Sequence, residues 1–178
     1  LLGNQAGMIV TYFDENGNEK FYDNETDNYR QHHFQLHWSE KWNSKWTSNM
    51  ALHYTFGQGY YEQFREDADL AEYNLPNFMG NTTADLVRQK WLDNDFFGTT
   101  FSLNYKSNKT DILFGGAANR YLGKHFGTVI WTQNYVPDSN NRYYDNYGNK
   151  DDVNFYAKAS QDFGKISFFA DLQYRMVF

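Results

Sequence analysis

"HWSEKWNSKWTSNMALHYTF", residues 37–56, sets apolar and aromatic side chains on alternate positions either side of a short polar turn. Centring that turn on Ser44 places Trp42 opposite Trp46, Trp38 opposite Met50, Leu36 opposite Leu52 and Phe34 opposite Tyr54. The other parity pairs Ser39 with Asn49, His37 with Ala51, Gln35 with His53 and His33 with Thr55. Successive side chains on a strand point to opposite faces, so one register sorts the hairpin into an apolar and a polar face. The strands it predicts run to about ten residues or more, long beside a mean of about 5–6.

Two further hairpins repeat the pattern. An Asn108-Lys109 turn sets Tyr105 against Ile112, Leu103 against Phe114 and Phe101 against Gly116. A Gly164-Lys165 turn sets Phe163 against Ile166, Gln161 against Phe168, Ala159 against Ala170, Ala157 against Leu172, Phe155 against Tyr174 and Val153 against Met176. Gly in the first loop position suits a type II′ turn, and Asn-Lys is a weaker candidate for type I′. The reverse face of the last hairpin is polar except at Phe169.

Composition agrees with an all-β chain. Aromatic residues make up 20% of the 178, and there are two prolines. Tyr, Phe and Trp favour strands. A formal charge of −6 argues against nucleic-acid binding, which needs a basic patch. The absence of cysteine excludes a disulfide scaffold and thiolate metal sites. No run of about 18 apolar residues occurs, so no transmembrane helix is expected. The start, "LLGNQAGMIV", has neither Met nor the features of a signal peptide, and the chain reads as a piece of something longer.

Between the hairpins, placed at about 29–56, 96–119 and 153–178, the sequence predicts long loops at about 1–28, 57–95 and 120–152. Within them "TYFDENGNEKFY" reads as a small hairpin on Asn16-Gly17, and "ADLVRQKWL" as a helical turn or two. Short turns alternating with long loops are the pattern of an outer-membrane β-barrel, with short periplasmic turns and long extracellular loops. The expected fold is therefore an antiparallel meander of long hairpins, one partial region of a large transmembrane barrel. On that reading the apolar face meets lipid, the polar face meets a wet lumen, and Trp38, Trp42 and Trp46 form an interfacial girdle. The other reading of the same alternation is a soluble sandwich or lectin-like domain with one face buried.

Four stretches, "YFDENGNEKFYDNETDNYRQHHFQLHW", "ALHYTFGQGYYEQFREDADLAEYNLPNF", "DLVRQKWLDNDFFGTTFSLNY" and "GGAANRYLGKHFGTVIW", resemble TonB-dependent outer-membrane receptors of the Bacteroidetes type. The resemblance spans nearly the whole chain, as a middle section of such a barrel. It implies a barrel of about 22 strands, a plug, and energy delivered by TonB through a short N-terminal box. Neither plug nor box lies in this chain. The implied function is active import of a nutrient (siderophore, haem, vitamin or glycan). The implied partners are outer-membrane lipid, TonB through the missing N-terminal region, and a small-molecule or oligosaccharide ligand. An isolated fragment could pair its lipid faces in a dimer. A soluble carbohydrate-binding β-domain is the alternative, and a barrel enzyme a third.

Candidate ligand contacts are the aromatic residues of the expected loops: Tyr60, Tyr61, Tyr73, Trp91, Trp131, Tyr143 and Tyr144, with Phe78, Tyr135 and Tyr147 beside them. Rings offer large contact area at little entropy cost, or simply pack loops together. His33, His37 and His53 share the polar face, but His33 and His37 stand about 13 Å apart at about 3.3 Å per residue, too far for one metal. "DENGN" and "DNYGNKDD" lack the ligand spacing of a calcium loop and read as turns. Ser39, His37 and Asn49 are near one another without forming an activated nucleophile. No enzymatic activity, metal or cofactor is expected.

Overall fold

The computed structural model describes residues 12–20, 22, 24, 27–133, 136–138 and 141–178, and the segment up to residue 11 and Tyr135 lie outside these. A small hairpin pairs β1 (Tyr12–Phe13) with β2 (Glu19–Lys20). Then follow β3 (Asp27–Lys41), β4 (Trp46–Asp69), β5 (Thr83–Lys106), β6 (Thr110–Thr132), β7 (Arg142–Asp162) and β8 (Ser167–Val177). These last six form one antiparallel meander in chain order. Its edges, β3 and β8, pair with no further strand among the described residues, so the sheet does not close on itself. The protein is all-β, with no α-helix among the described residues.

The hairpin registers follow the turn chemistry. All five ladder pairs expected between β7 and β8 from Val153↔Met176 to Gln161↔Phe168 are present, and Phe163 N–H donates to Ile166 O at the turn. Gly164 sits at φ 90, which only glycine adopts without strain. In the first hairpin Asn43 Oδ1 accepts from the backbone of Lys45 and Trp46, while Trp42 N–H donates to Trp46 O. Cross-strand contacts Ser39–Asn49, His33–Thr55 and Phe34–Tyr54 hold the expected pairing. The Asn108-Lys109 turn departs from expectation. Neither residue has a positive φ, so it is not type I′. Ser107 supplies the closure instead, its backbone N–H donating to Thr110 O and its Oγ accepting from Thr110 N–H. The small hairpin forms as expected around Asn16-Gly17, with Gly17 at φ 78 and Asp14 Oδ1 accepting from the backbone of Asn16 and Asn18.

The expected long loops are mostly strand. β4 continues to Asp69 and β5 starts at Thr83, so the connection shrinks to residues 70–82; β6 and β7 likewise reduce 120–152 to residues 133–141. "ADLVRQKWL" lies in β5 and is not helical. These segments lack clean apolar alternation, yet each backbone has a neighbouring strand to bond, and pairing begun at the turn carries on up the ladder.

The chain divides into two compact units: Leu1–Arg30, Gly57–Asp93 and Gly123–Tyr147 in the first, and Gln31–Phe56, Asn94–Leu122 and Gly148–Phe178 in the second. The first has a small core of Leu70, Tyr73, Leu75, Leu86 and Val129 with Ala68 and Ala84. It forms because a 3₁₀ turn, Leu70–Tyr73, folds onto the strands, capped by the Asp69 carboxylate on Ala71 N–H and ended by Asn74 at φ 54. Asn74 Nδ2 donates to the carbonyls of Arg142 and Tyr143, and Asn141 Nδ2 donates to Tyr73 O. The second unit contributes none of its residues to this core. Its sheet exposes Leu36, Trp42, Phe168, Leu172 and Tyr174 to more than half of their full extent.

Candidate functional site

In the first unit β4 and β5 run side by side, with Tyr61 against Lys90, Gln63 against Arg88, Glu62 against Gln89 and Tyr60 against Trp91. Alternation separates these into two groups on opposite faces.

The first group centres on Arg88. Its Nε and Nη2 donate to Gln63 Oε1 at 3.2 and 2.6 Å, and its Nη1 donates to Tyr73 Oη at 2.9 Å. Tyr73 packs on Tyr143 with ring centres 4.8 Å apart, and Tyr143 meets Tyr144 edge-on at 4.9 Å. Lys90 Nζ stands 5.6 Å above the Tyr61 ring. Neither Arg88 nor Lys90 has a carboxylate at ion-pair distance among the described residues. Burial pushes the Tyr143 and Tyr144 hydroxyls above the usual phenol range, an effect Arg88 partly offsets. The Tyr143 hydroxyl is buried without a hydrogen-bond partner among the described residues.

The second group is an aromatic ladder. Tyr60 packs on Trp91 at 4.5 Å, and Trp91 lies nearly parallel to Phe126 at 5.7 Å. Arg142 sits 4.0 Å over the Phe126 ring, and Lys124 lies over Phe126 and Tyr147. Both cations are compensated by the Asp145 carboxylate. Beside this ladder the nearly buried Glu62 accepts from Tyr22 Oη, Asn24 Nδ2 and Gln89 Nε2. Burial works to raise its pKa, and those hydrogen bonds prevail and lower it.

The candidate aromatic residues, expected on loops, are placed differently. Tyr60, Tyr61, Trp91, Tyr143 and Tyr144 lie on strands, not loops. Tyr73 is almost fully buried and serves the core as well as the cluster. Tyr61, Tyr73, Tyr143 and Tyr144 come together, Tyr60 and Trp91 join the ladder, and Trp131, exposed at the end of β6, joins neither. Arg88, Lys90 and Gln63 were missed. The signal was the spacing in "VRQKW", which puts two cations on one strand face.

In the second unit the expected polar face is a hydrogen-bonded network. Ser39 Oγ donates to Asn49 Oδ1, and Asn49 Nδ2 reaches Ser102 Oγ. His33 bonds Thr55, His37 bonds Gln35 and His53 bonds Asn119. The three histidines therefore have three different partners, and no group of three or more His, Cys, Asp or Glu side chains that could hold a metal ion occurs among the described residues. Ser39 is engaged by Asn49 and not by His37. Lys158 and Arg175 pair with Asp171 and Asp152. A cavity of about 390 Å³ opens on the sheet here, lined by His37, Ser39, Asn49, Ser102, Asn154 and Tyr156 among others. The opposite parity carries the exposed tryptophans: Trp38 meets Trp42 edge-on at 6.4 Å, Trp42 Nε1 donates to Ser48 Oγ, and Trp46 packs on Tyr105 at 4.9 Å.

No protein-family model, curated protein or solved structure matches the chain.

Proposed function

We propose that this chain is part of the barrel wall of an outer-membrane TonB-dependent receptor that captures and imports a nutrient. One observation carries the reading: the second unit leaves one parity of its sheet apolar and exposed while the other parity is a polar network. In water an exposed apolar area of this kind is unfavourable and rare. In a bilayer an apolar face is favourable, provided the edge strands β3 and β8 are paired so that their backbone groups are bonded. The apolar parity in β4 runs from Trp46 to Phe56, broken at Ser48, after which the same parity carries Gln58, Tyr60 and Glu62. That span fits the roughly 9–11 residues a tilted strand needs to cross the hydrocarbon core. The clustered tryptophans beside the short turns suit an interfacial belt. The open edges β3 and β8 suit a wall continued by further strands. Lipid, TonB acting through a plug region outside this chain, and a ligand held on the tyrosine-bearing strands are the partners in this reading, and no covalent chemistry is involved.

The test uses the full-length protein in lipid vesicles with a nitroxide on Leu52→Cys or on its neighbour Ala51→Cys. Lipid contact predicts that the label at 52 relaxes with oxygen and is shielded from a water-soluble nickel chelate, with the reverse at 51. Equal accessibility, together with a protein that stays monomeric in detergent-free buffer, would make it a soluble carbohydrate-binding domain instead.

A further inference from the structure

We propose that Lys90 and Tyr61, backed by Arg88, form a binding site for a single-ring aromatic carboxylate in the first unit. The inference does not rest on the barrel reading, because every group it uses belongs to that one unit.

A cavity of about 300 Å³ is lined by Asp27, Tyr29, Gly59, Tyr60, Tyr61, Lys90 and Leu92. That volume is at the small end of ligand sites and suits one ring. Gly59 shapes the site: a Cβ there would fall 2.1 Å from Asn28 O and 2.7 Å from the Tyr29 ring, so any side chain would displace the wall. Tyr61 and Leu92 are among the exposed large apolar residues, which leaves a flat ring and an aliphatic surface open to a guest.

The charge on this wall is unusual for a chain of formal charge −6. Among the described residues Lys90 has the Tyr61 ring against it and no carboxylate at ion-pair distance, and a cation over a ring keeps most of its capacity for an anion. Arg88 lies two residues along on the same strand face, and its partners among the described residues, Gln63 and Tyr73, are neutral. A guanidinium has five N–H donors, so the three bonds it makes leave others for an acceptor. On the aromatic ladder of the same unit, by contrast, Lys124 and Arg142 are both held by Asp145. Asp27 contributes one negative group to the cavity wall, at no ion-pair distance from Lys90. A guest with a ring and a carboxylate uses both features: the ring stacks on Tyr61 and the carboxylate pairs with Lys90, while Arg88, outside the cavity lining, adds positive charge further along the same strand face.

Titration calorimetry at low salt tests this on the full-length protein with three probes: benzoate, benzamide and acetate. Benzoate is expected to bind, and the uncharged ring and the ringless anion are expected to bind at least about tenfold more weakly, the equivalent of one charge-assisted contact. Lys90→Gln removes a cation that makes no hydrogen bond, so the fold should survive while benzoate affinity falls about tenfold, and Lys90→Arg should restore it. Tyr61→Ala should weaken benzoate and leave acetate unchanged. The proposal is overturned if benzoate does not bind, if benzamide or acetate equals it, or if Lys90→Gln leaves its affinity as it was.

Discussion

Leu86 and Val129 in the first unit retain 0% and 2% of their accessible surface, whereas Leu36 and Leu172 in the second retain 66% and 73%. The same kinds of residue, on strands of one sheet, meet opposite fates. In the first unit a connecting segment folds back and covers the strands, as Leu70 and Tyr73 do. In the second no segment among the described residues does so, and the apolar parity is exposed. Each fully buried aliphatic side chain contributes about 1.5–3 kcal/mol through removal from water. The first unit therefore carries a source of stability that the exposed apolar residues of the second do not supply.

The contrast can be broken most severely at Leu86. Leu86→Ala should destabilise the first unit by about 2–5 kcal/mol through lost burial and a residual cavity, seen as faster amide exchange in Leu70–Tyr73 with little change near Trp46. Next in size is Leu52→Arg. In vesicles it should cost about 2–4 kcal/mol if that residue lies near the bilayer midplane, while in buffer an exposed position should shift stability by no more than about 0.5 kcal/mol. Chemical denaturation in both media distinguishes the two.

Gly57→Ala sharpens the picture within the first unit. Its Cβ would lie 2.0 Å from Tyr29 Oη, so the ring must leave its place over the glycine. Such overpacking costs about 1–3 kcal/mol, measurable as a lower unfolding midpoint.

The Glu62 contacts with Tyr22 and Asn24 should depend on pH at both ends. Glu62 has a lowered pKa in the folded state, so its contribution is present above its ordinary value of 4.5 and fades as pH falls through the folded value. Tyr22, through burial and the neighbouring Glu62 carboxylate, is pushed up from 10.0 to about 12, so its contribution holds below pH 10 and is lost between those values. Limited proteolysis around residues 22–24 should therefore be slowest between these two windows, and flat protection from acid to alkali would contradict the assignment. The smallest effect belongs to Lys106→Gln, which removes an exposed ion pair with Asp111 and should change stability by less than about 1 kcal/mol in denaturant titration.

Legibility followed the physics of each segment. Around Trp42–Trp46 and Phe163–Ile166 the turn residues and strict alternation leave a single register that puts like with like, and the structure keeps it. In Gly57–Asp69 and Thr83–Asp93 alternation is blurred, because aromatic and polar side chains occur on both faces. Loops and strands look alike there, and the candidate rings were read as loop residues. The Arg88–Gln63–Tyr73 cluster was hidden for a related reason: its members are 15 and 25 residues apart in sequence and meet only after β4, β5 and the 3₁₀ turn assemble.

What the sequence determined by itself was local and periodic: the all-β class, the turns at Asn43–Lys45, Asn108-Lys109 and Gly164-Lys165, and the sorting of each hairpin into an apolar and a polar face. Period-two alternation and glycine's backbone freedom act over a few residues, so they can be read directly. The tertiary structure alone decided how far the strands extend, which tyrosines share a cluster, and which cations have carboxylates and which do not. Those outcomes depend on a neighbouring strand supplying backbone partners and on side chains distant in sequence arriving at one place, and no single stretch of the chain contains that information.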